Sequence, residues 1–236
     1  MDSAAPFKPV RTRQTVQDQI YDQLRTALVN GAFEAGESFT ISAMADRFMT
    51  SHMPVREALR RLAAENALRI SSTGTAVVPD LDRAELAQIT QARMIIEPAT
   101  ARIAFDHIGA DERAELGKIL EKHQTCGETG DVVLMLECNR HFHFGIYRAA
   151  GNDVLISQIE NLWLRSGAYV RFLSDRMGEL LQTSYKKGFA MYHEVMLKAL
   201  DDGDRDAFVR TMGEDIEATH NLVTDFLTEN EGQGGS

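Results

Sequence analysis

The stretch that decides the fold is Thr50-Ser51-His52-Met53-Pro54-Val55-Arg56-Glu57-Ala58-Leu59-Arg60-Arg61-Leu62. Thr-Ser followed by Pro in the first turn marks a helix start, because hydroxyls satisfy free backbone N–H groups and Pro has none to satisfy. Val55, Leu59, Leu62 and Ala63 recur at three- and four-residue spacing and share one face, with Arg56, Arg60 and Arg61 pointing elsewhere. The spacing predicts a helix over Pro54 to Ala67. Upstream, Ser42 to Phe48 reads as a second short helix, with Ile41, Met44, Ala45 and Phe48 inward. Before it, Thr15 to Asn30 places Val16, Ile20, Leu24, Ala27 and Leu28 on one face and ends at Gly31, with a turn at Gly36. Downstream, Leu68 to Ser71 and Thr75 to Val78 read as two short strands around Ser72-Thr73-Gly74. Three helices and a hairpin over residues 14–79 make a winged helix-turn-helix.

Such a unit reads DNA with the start of its third helix in the major groove. Ser51, His52, Met53, Pro54 and Arg56 stand there, with Arg60 farther along and Ser42 on the preceding helix. Arg56 can pair with a guanine edge in bidentate fashion or clamp a phosphate. Thr73 and Gly74 at the hairpin tip can approach the minor groove or the backbone. The competing reading makes Arg56, Arg60 and Arg61 a solvated face partnered by Glu57 and Glu65.

Pro79-Asp80-Leu81-Asp82 reads as a linker, and from Arg83 onward the periodicity is helical throughout. Helices are expected at about 83–107, 111–126, 131–150, 153–173, 178–202 and 205–228, the fifth interrupted near Lys186–Gly188. Pro98 should kink the first, and the tail from Glu229 should fray. The expected fold is mostly α: a winged helix-turn-helix, then an all-α antiparallel bundle over residues 83–228.

The 236 residues carry a formal charge of −10, which taken whole argues against a nucleic-acid partner. The charge is unevenly spread: residues 1–79 sum to +1 and the rest to −11. Two units with different partners fit that asymmetry. No apolar run approaches the length of a membrane span, and no secretory leader is visible, so a cytoplasmic, nucleoid-associated protein is expected. Cys126 and Cys138 are too few for a disulfide framework or a cysteine zinc site.

Helical-wheel arithmetic places polar side chains on inward faces of the bundle. On helix 131–150, Asn139 and His143 fall among Val132, Leu136 and Tyr147, whereas His141 lies on the charged side. His193 stands between Phe189, Met196 and Leu200, and Asp215 between Phe208, Met212 and Leu222. A buried carboxylate needs a partner. One reading is a divalent cation, Zn²⁺, Ni²⁺ or Mn²⁺, held by Asn139, His143, His193 and Asp215. The other is a water-filled polar pocket in which Asp215 bonds one of the histidines. His107, His123 and His220 show no cluster. Arg93 and Glu97 face inward on the first bundle helix, and Arg165, Tyr169 and Arg171 share a later helix with Trp163.

Val16-x3-Ile20, Gly31-x4-Gly36 and Pro54-Val55-Arg56-Glu57-Ala58-Leu59-x-x-Leu62 together resemble the N-terminal domain of GntR-family transcriptional regulators. The downstream helices resemble the FadR-type branch, whose helical effector-binding domain is called FCD; the resemblance spans about residues 14–228. It implies a homodimeric repressor or activator, and not an enzyme, that binds a pseudo-palindromic operator in double-stranded DNA and answers to a small organic acid. Many relatives have Arg at the position of His52, so their operator preference does not transfer. The family's metal-binding members carry Asp or Asn four residues before the His of a Phe-His pair, matched by Asn139 before Phe142-His143. A second His precedes an Ala-Leu-x-x-Gly-Asp stretch, matched by His193 before Ala199-Leu200-Asp201-Asp202-Gly203-Asp204. The family's usual third His is Asp215 here. Two positions thus depart from the commonest Asp/His/His/His set: Asn139 loses a carboxylate and Asp215 restores one. The Arg93-x3-Glu97-Pro98 pattern is placed by the resemblance beside the effector pocket, where Arg93 would hold a carboxylate as a fork. An internal Arg93–Glu97 ion pair is the alternative. Arg165 and Tyr169 are further effector candidates. The rival function, a metal-dependent enzyme on a helical bundle, lacks the Glu-x-x-His pairs on two helices that a di-metal carboxylate site needs.

Overall fold

The computed structural model describes residues 15–71, 74–183, 185 and 188–233. Thr73 and the expected break at Lys186–Lys187 lie outside the described residues. The N-terminal head comprises α1 (Val16–Val29), β1 (Ser38–Phe39), α2 (Ile41–Arg47), α3 (His52–Ala64), β2 (Arg69–Ile70) and β3 (Ala76–Val77). The bundle comprises α4 (Arg83–Ala104), α5 (Ala110–Thr129), α6 (Val132–Ala149), α7 (Asp153–Arg165), α8 (Gly167–Leu180), α9 (Met191–Asp202) and α10 (Arg205–Gln233).

Thr15 caps α1 through a reciprocal capping box with Asp18, fixing its start. Between α2 and α3 the chain turns through Met49 at φ 51°, a left-handed conformation that costs a side chain energy and is held by backbone bonds from Met49 N to the Asp46 carbonyl and from Thr50 N to the Ala45 carbonyl. Ile20, Leu24, Leu28, Met44, Val55, Leu59 and Leu62 form the head's core, each at most 5% exposed. Ser51 occupies the N-cap of α3 with extended backbone, but its side chain makes no capping bond.

Two corrections concern the head. The hairpin is part of a three-stranded antiparallel sheet, order β1-β3-β2, in which Ser38 pairs with Val77 and Phe39 with Ala76. Two residues after a turn carry no alternation, which hides β1 from a pattern reading. The third helix begins at His52 and stops at Ala64, earlier at both ends than expected.

In the bundle, α10 packs along α4, and α5 along α6. Helix α4 runs through Pro98 to Ala104, and α10 continues past Thr228 to Gln233, where a frayed tail was expected. The single helix expected at 153–173 is two, broken at Ser166. Gly167 opens the second piece, and a Cβ there would stand 2.1 Å from the carbonyl oxygen of Leu28. The bundle therefore meets the head with bare backbone. The helix expected from 178 starts only at Met191, after an irregular stretch through Phe189 and Ala190.

Head and bundle share a core. Leu164 and Ala168, flanking the break, belong to the same apolar cluster as Leu28, Leu59 and Val78. Arg25–Glu160 at 3.2 Å and a bond from Asn161 Nδ2 to the Glu65 carbonyl at 3.1 Å add polar ties across the joint.

Candidate metal centre and ligand cavity

Three helices converge on one point. His143 on α6, His193 on α9 and Asp215 on α10 bring ligand atoms within 4.8 Å of one another. His143 Nε2 lies 2.8 Å from Asp215 Oδ2 and 3.2 Å from His193 Nε2, and His193 Nε2 lies 3.7 Å from the same carboxylate oxygen. Both imidazoles are 2% exposed. Donors bound at about 2.0–2.2 Å to one cation stand roughly 3.0–3.5 Å apart, so this spacing brackets that of a metal site.

Proton bookkeeping sharpens the fit. Glu97 is fully buried and receives Arg93 Nε at 2.6 Å, Arg93 Nη2 at 3.2 Å and Trp163 Nε1 at 3.1 Å. Its carboxylate can only accept, so the Tyr147 hydroxyl donates its one hydrogen to Glu97 Oε2 at 2.5 Å. The Tyr147 oxygen is then left to accept from His143 Nδ1 at 3.0 Å. Placing the hydrogen on Nδ1 leaves Nε2 of a neutral imidazole bearing a lone pair aimed at Asp215. Two acceptors 2.8 Å apart need either a second proton on His143 or a cation between them. The buried chain Glu97–Tyr147–His143 thus fixes the ring with Nε2 toward Asp215, the orientation that a metal ligand would need. Burial raises the Tyr147 hydroxyl well above its ordinary range, and Glu97 adds to the effect, so it stays a donor.

The other groups agree. Burial pulls His193 down to about 3, against the opposing pull of Asp215, so it is neutral at pH 7. Burial pushes the Asp215 carboxyl up, but the hydrogen bond from His143, with the positive charge that a second proton on His143 would bring and the Arg93 guanidinium behind it, outweighs burial and holds it below the usual range. His193 stacks on Phe142 with ring centroids 4.1 Å apart and planes 12° from parallel, which fixes its orientation.

His123 was missed as a cluster member. It is 3% exposed, its Nδ1 lies 3.2 Å from His193 Nδ1, and burial lowers it to about 4. The signal was present: with Leu116, Leu120 and Gly127 it follows the i, i+4, i+7, i+11 stripe of a core-facing helix.

The cluster opens onto a cavity of about 390 Å³, lined among others by Arg93, His123, Asn139, His143, Trp163 and Asp215. Asn139, one turn before His143, therefore stands on the wall of the same space. Arg93 is also on this wall, while its partner Glu97 is not. The ion pair that sequence left open is thus formed, and Glu97 serves as the anchor behind the wall. Arg165 pairs with Glu85 at 2.9 Å and lines a crevice at the head–bundle joint instead of the cavity. The Tyr169 hydroxyl donates to the Asp82 carbonyl at 2.8 Å, and its ring borders that crevice and a smaller cleft of about 50 Å³ beside Arg93. Arg171 pairs with Asp175 and Glu34 away from the cavity.

On the head, Ser42, Ser51, His52, Met53, Arg56 and Arg60 are all exposed, and Pro54 partly so. Met53 shows 62% of its surface, and Arg60 pairs with Glu57 at 3.1 Å. Gly74 at the wing tip takes φ 82° with open space around it. Among the described residues, no helix is long and apolar enough to cross a membrane.

Comparison with known proteins agrees with this architecture. A family model for bacterial regulatory proteins of the gntR family matches residues 16–78, and one for the FCD domain matches residues 88–218. The HTH-type transcriptional regulator McbR of Escherichia coli is 29% identical over 201 residues, 84% of this chain and 90% of that protein. The gluconate operon transcriptional repressor of Bacillus licheniformis is 26% identical over 209 residues, 86% of this chain and 83% of that one. The solved structure of E. coli McbR/YncC superposes with a TM-score of 0.83 at 26% identity, covering 90% of this chain and 99% of its own. The chain belongs to the GntR family of bacterial transcriptional regulators, in the branch that carries an FCD domain.

Proposed function

We propose that this regulator binds its operator as a homodimer and that a small organic acid, seated in the 390 Å³ cavity beside a divalent cation, sets its affinity for DNA. The observation that carries this is the convergence of His143, His193 and Asp215, their ligand atoms within 4.8 Å of one another, at a cavity wall that also presents Arg93. His143, His193 and Asp215, with Asn139 alongside, would hold Zn²⁺, Ni²⁺ or Mn²⁺. The cation would supply a positive charge and open coordination positions for a carboxylate. Arg93, already locked to Glu97 and lying over the Trp163 ring at 4.8 Å, keeps its remaining N–H groups for the acid's other end. On the head, Ser51, His52, Met53, Pro54 and Arg56 would meet base edges, with Ser42, Arg60, Thr73 and Gly74 on phosphates.

A path between the two sites follows from the joint. Trp163, Ser166 and Val170 line the cavity, while Leu164, Gly167 and Ala168 in the same segment press on the head. A ligand that moves this corner moves α1 with it.

Fluorescence anisotropy on the chain's own upstream DNA, with and without a chelator and a panel of small carboxylates, tests the proposal. Salt-sensitive specific binding altered by one acid, and abolished or altered by chelation, is the expected result. Specific binding indifferent to every acid and to chelation would remove the effector and the metal from the account.

A further inference from the structure

Where α1 lies against α6 and α7, a separate cleft of about 50 Å³ is lined by Arg25, Arg140, Arg148 and Glu160, with Phe144 and Trp163 among its walls. It shares only Trp163 with the large cavity. Arg25 pairs with Glu160 across the joint. Among the described residues, no ion pair involves Arg140 or Arg148. The Nε of Arg140 is buried and has no hydrogen-bond partner, and its Nη2 stands 3.4 Å from His141 Nε2. Of the charges around Arg140, Glu137 acts most strongly and attracts it without forming an ion pair, while those of Arg148 and Arg25 both repel it. Three guanidinium groups therefore meet one lining carboxylate in a chain whose net charge is −10.

We propose that this cleft binds a tetrahedral oxyanion of the phosphate class, as free phosphate or as the phosphate end of a monoester, held between Arg25 of the head and Arg140 and Arg148 of the bundle. The charge count selects the class. With Glu160 offsetting one guanidinium, two positive charges remain, and a phosphate carries about −1.5 to −2 at pH 7 with three strong acceptor oxygens. A simple carboxylate would leave one charge over. Size selects it again: a water occupies about 10–15 Å³ on this scale, so 50 Å³ admits a group of a few heavy atoms and the rest of any ester must project outward. The orphaned Arg140 Nε–H gains its acceptor. Because the arginines come from both units, the anion would tie the head to the bundle.

The test is calorimetric titration and thermal unfolding of the full chain with sodium phosphate and with glycerol phosphate, against sodium chloride at matched ionic strength. Saturable binding and a rise in Tm are expected for the wild type, at least tenfold weaker in Arg148→Gln, Arg140→Gln and Arg25→Gln, with Arg148→Lys retaining part. Lys198→Gln, at an exposed residue of α9 paired with Asp202, should keep the full response. Tighter binding of the ester than of phosphate would make a metabolite the occupant, and equal binding would make it phosphate itself. Arg148 is exposed, so its variant remains readable even where Arg140→Gln fails to fold. No saturable response beyond that of chloride, or an unchanged response in Arg148→Gln, would overturn the proposal.

Discussion

Tyr147 has one hydrogen and three neighbours placed to take it, Glu97, His143 and, at 3.4 Å, the Met212 sulfur, and the choice among them decides the chemistry of His143. Because Glu97 takes it, His143 must carry its own hydrogen on Nδ1 and turn Nε2 toward Asp215. Tyr147→Phe removes that acceptor, and the metal affinity should fall by about 10–100-fold, as losses of a ligand's hydrogen-bond partner do. Competition against a chelating fluorophore measures it, and unchanged affinity would mean that the ring is oriented by packing alone. Asp215→Asn neutralises the carboxylate of the cluster, so elemental analysis should find less than about a tenth of the wild-type metal, in line with the charge requirements of such sites. At this scale the sequence was informative but incomplete. Helical spacing put Asn139, His143, His193 and Asp215 inward on three helices and could have done the same for His123, whereas the His123–His193 and Tyr147–Glu97 contacts depend on how α4, α5, α6 and α9 dock. No single helical wheel contains that.

Among the elements, the break between α7 and α8 matters most. Gly167→Ala would thrust a methyl group at the Leu28 carbonyl, and overpacking of this kind costs about 1–3 kcal/mol. Chemical denaturation should show that loss, with head and bundle separating in their transitions; a variant as stable as wild type would mean that the helices slide freely. Within the head, α1 and α3 are pinned by Tyr21, whose hydroxyl donates to Glu65 at 2.7 Å. Burial and Glu65 push Tyr21 up to about 12 from 10. A folded-state value above the unfolded one means that the contribution is intact below pH 10 and fades as pH climbs toward 12. Tyr21→Phe should lack this portion of the alkaline loss, seen as a difference from wild type that shrinks between pH 10 and 12. The long elements were legible because their apolar stripes recur over many turns. Those that were misread, β1 and the α7–α8 corner, are set by contacts distant in the chain: Ser38 with Val77, and Gly167 with Leu28.

For the whole molecule, the uneven charge explains how an acidic chain meets DNA: the near-neutral head presents Arg56 and Arg60 while the acidic surface lies with the bundle. Arg56→Ala should weaken operator binding by about 1–3 kcal/mol, roughly tenfold or more, with metal content unchanged, as base- or phosphate-contacting arginines do. Anisotropy over a salt series checks it, and an undiminished affinity would move the reading surface elsewhere. The shared core at the joint has a last consequence. With Leu164 and Ala168 built into the head's own interior, a recognition helix cannot swing on its protomer like a flag on a loose pole. In the proposed homodimer each protomer would be a rigid arm, and the quantity a ligand could change would be the gap between the tips. Such a pair would work as calipers. Its response should therefore be written in the operator's spacer: one added base pair between half-sites shifts them by about 3.4 Å and turns them by roughly a tenth of a helical turn. Liganded and ligand-free protein should then prefer spacers of different length, though both read the same half-site letters.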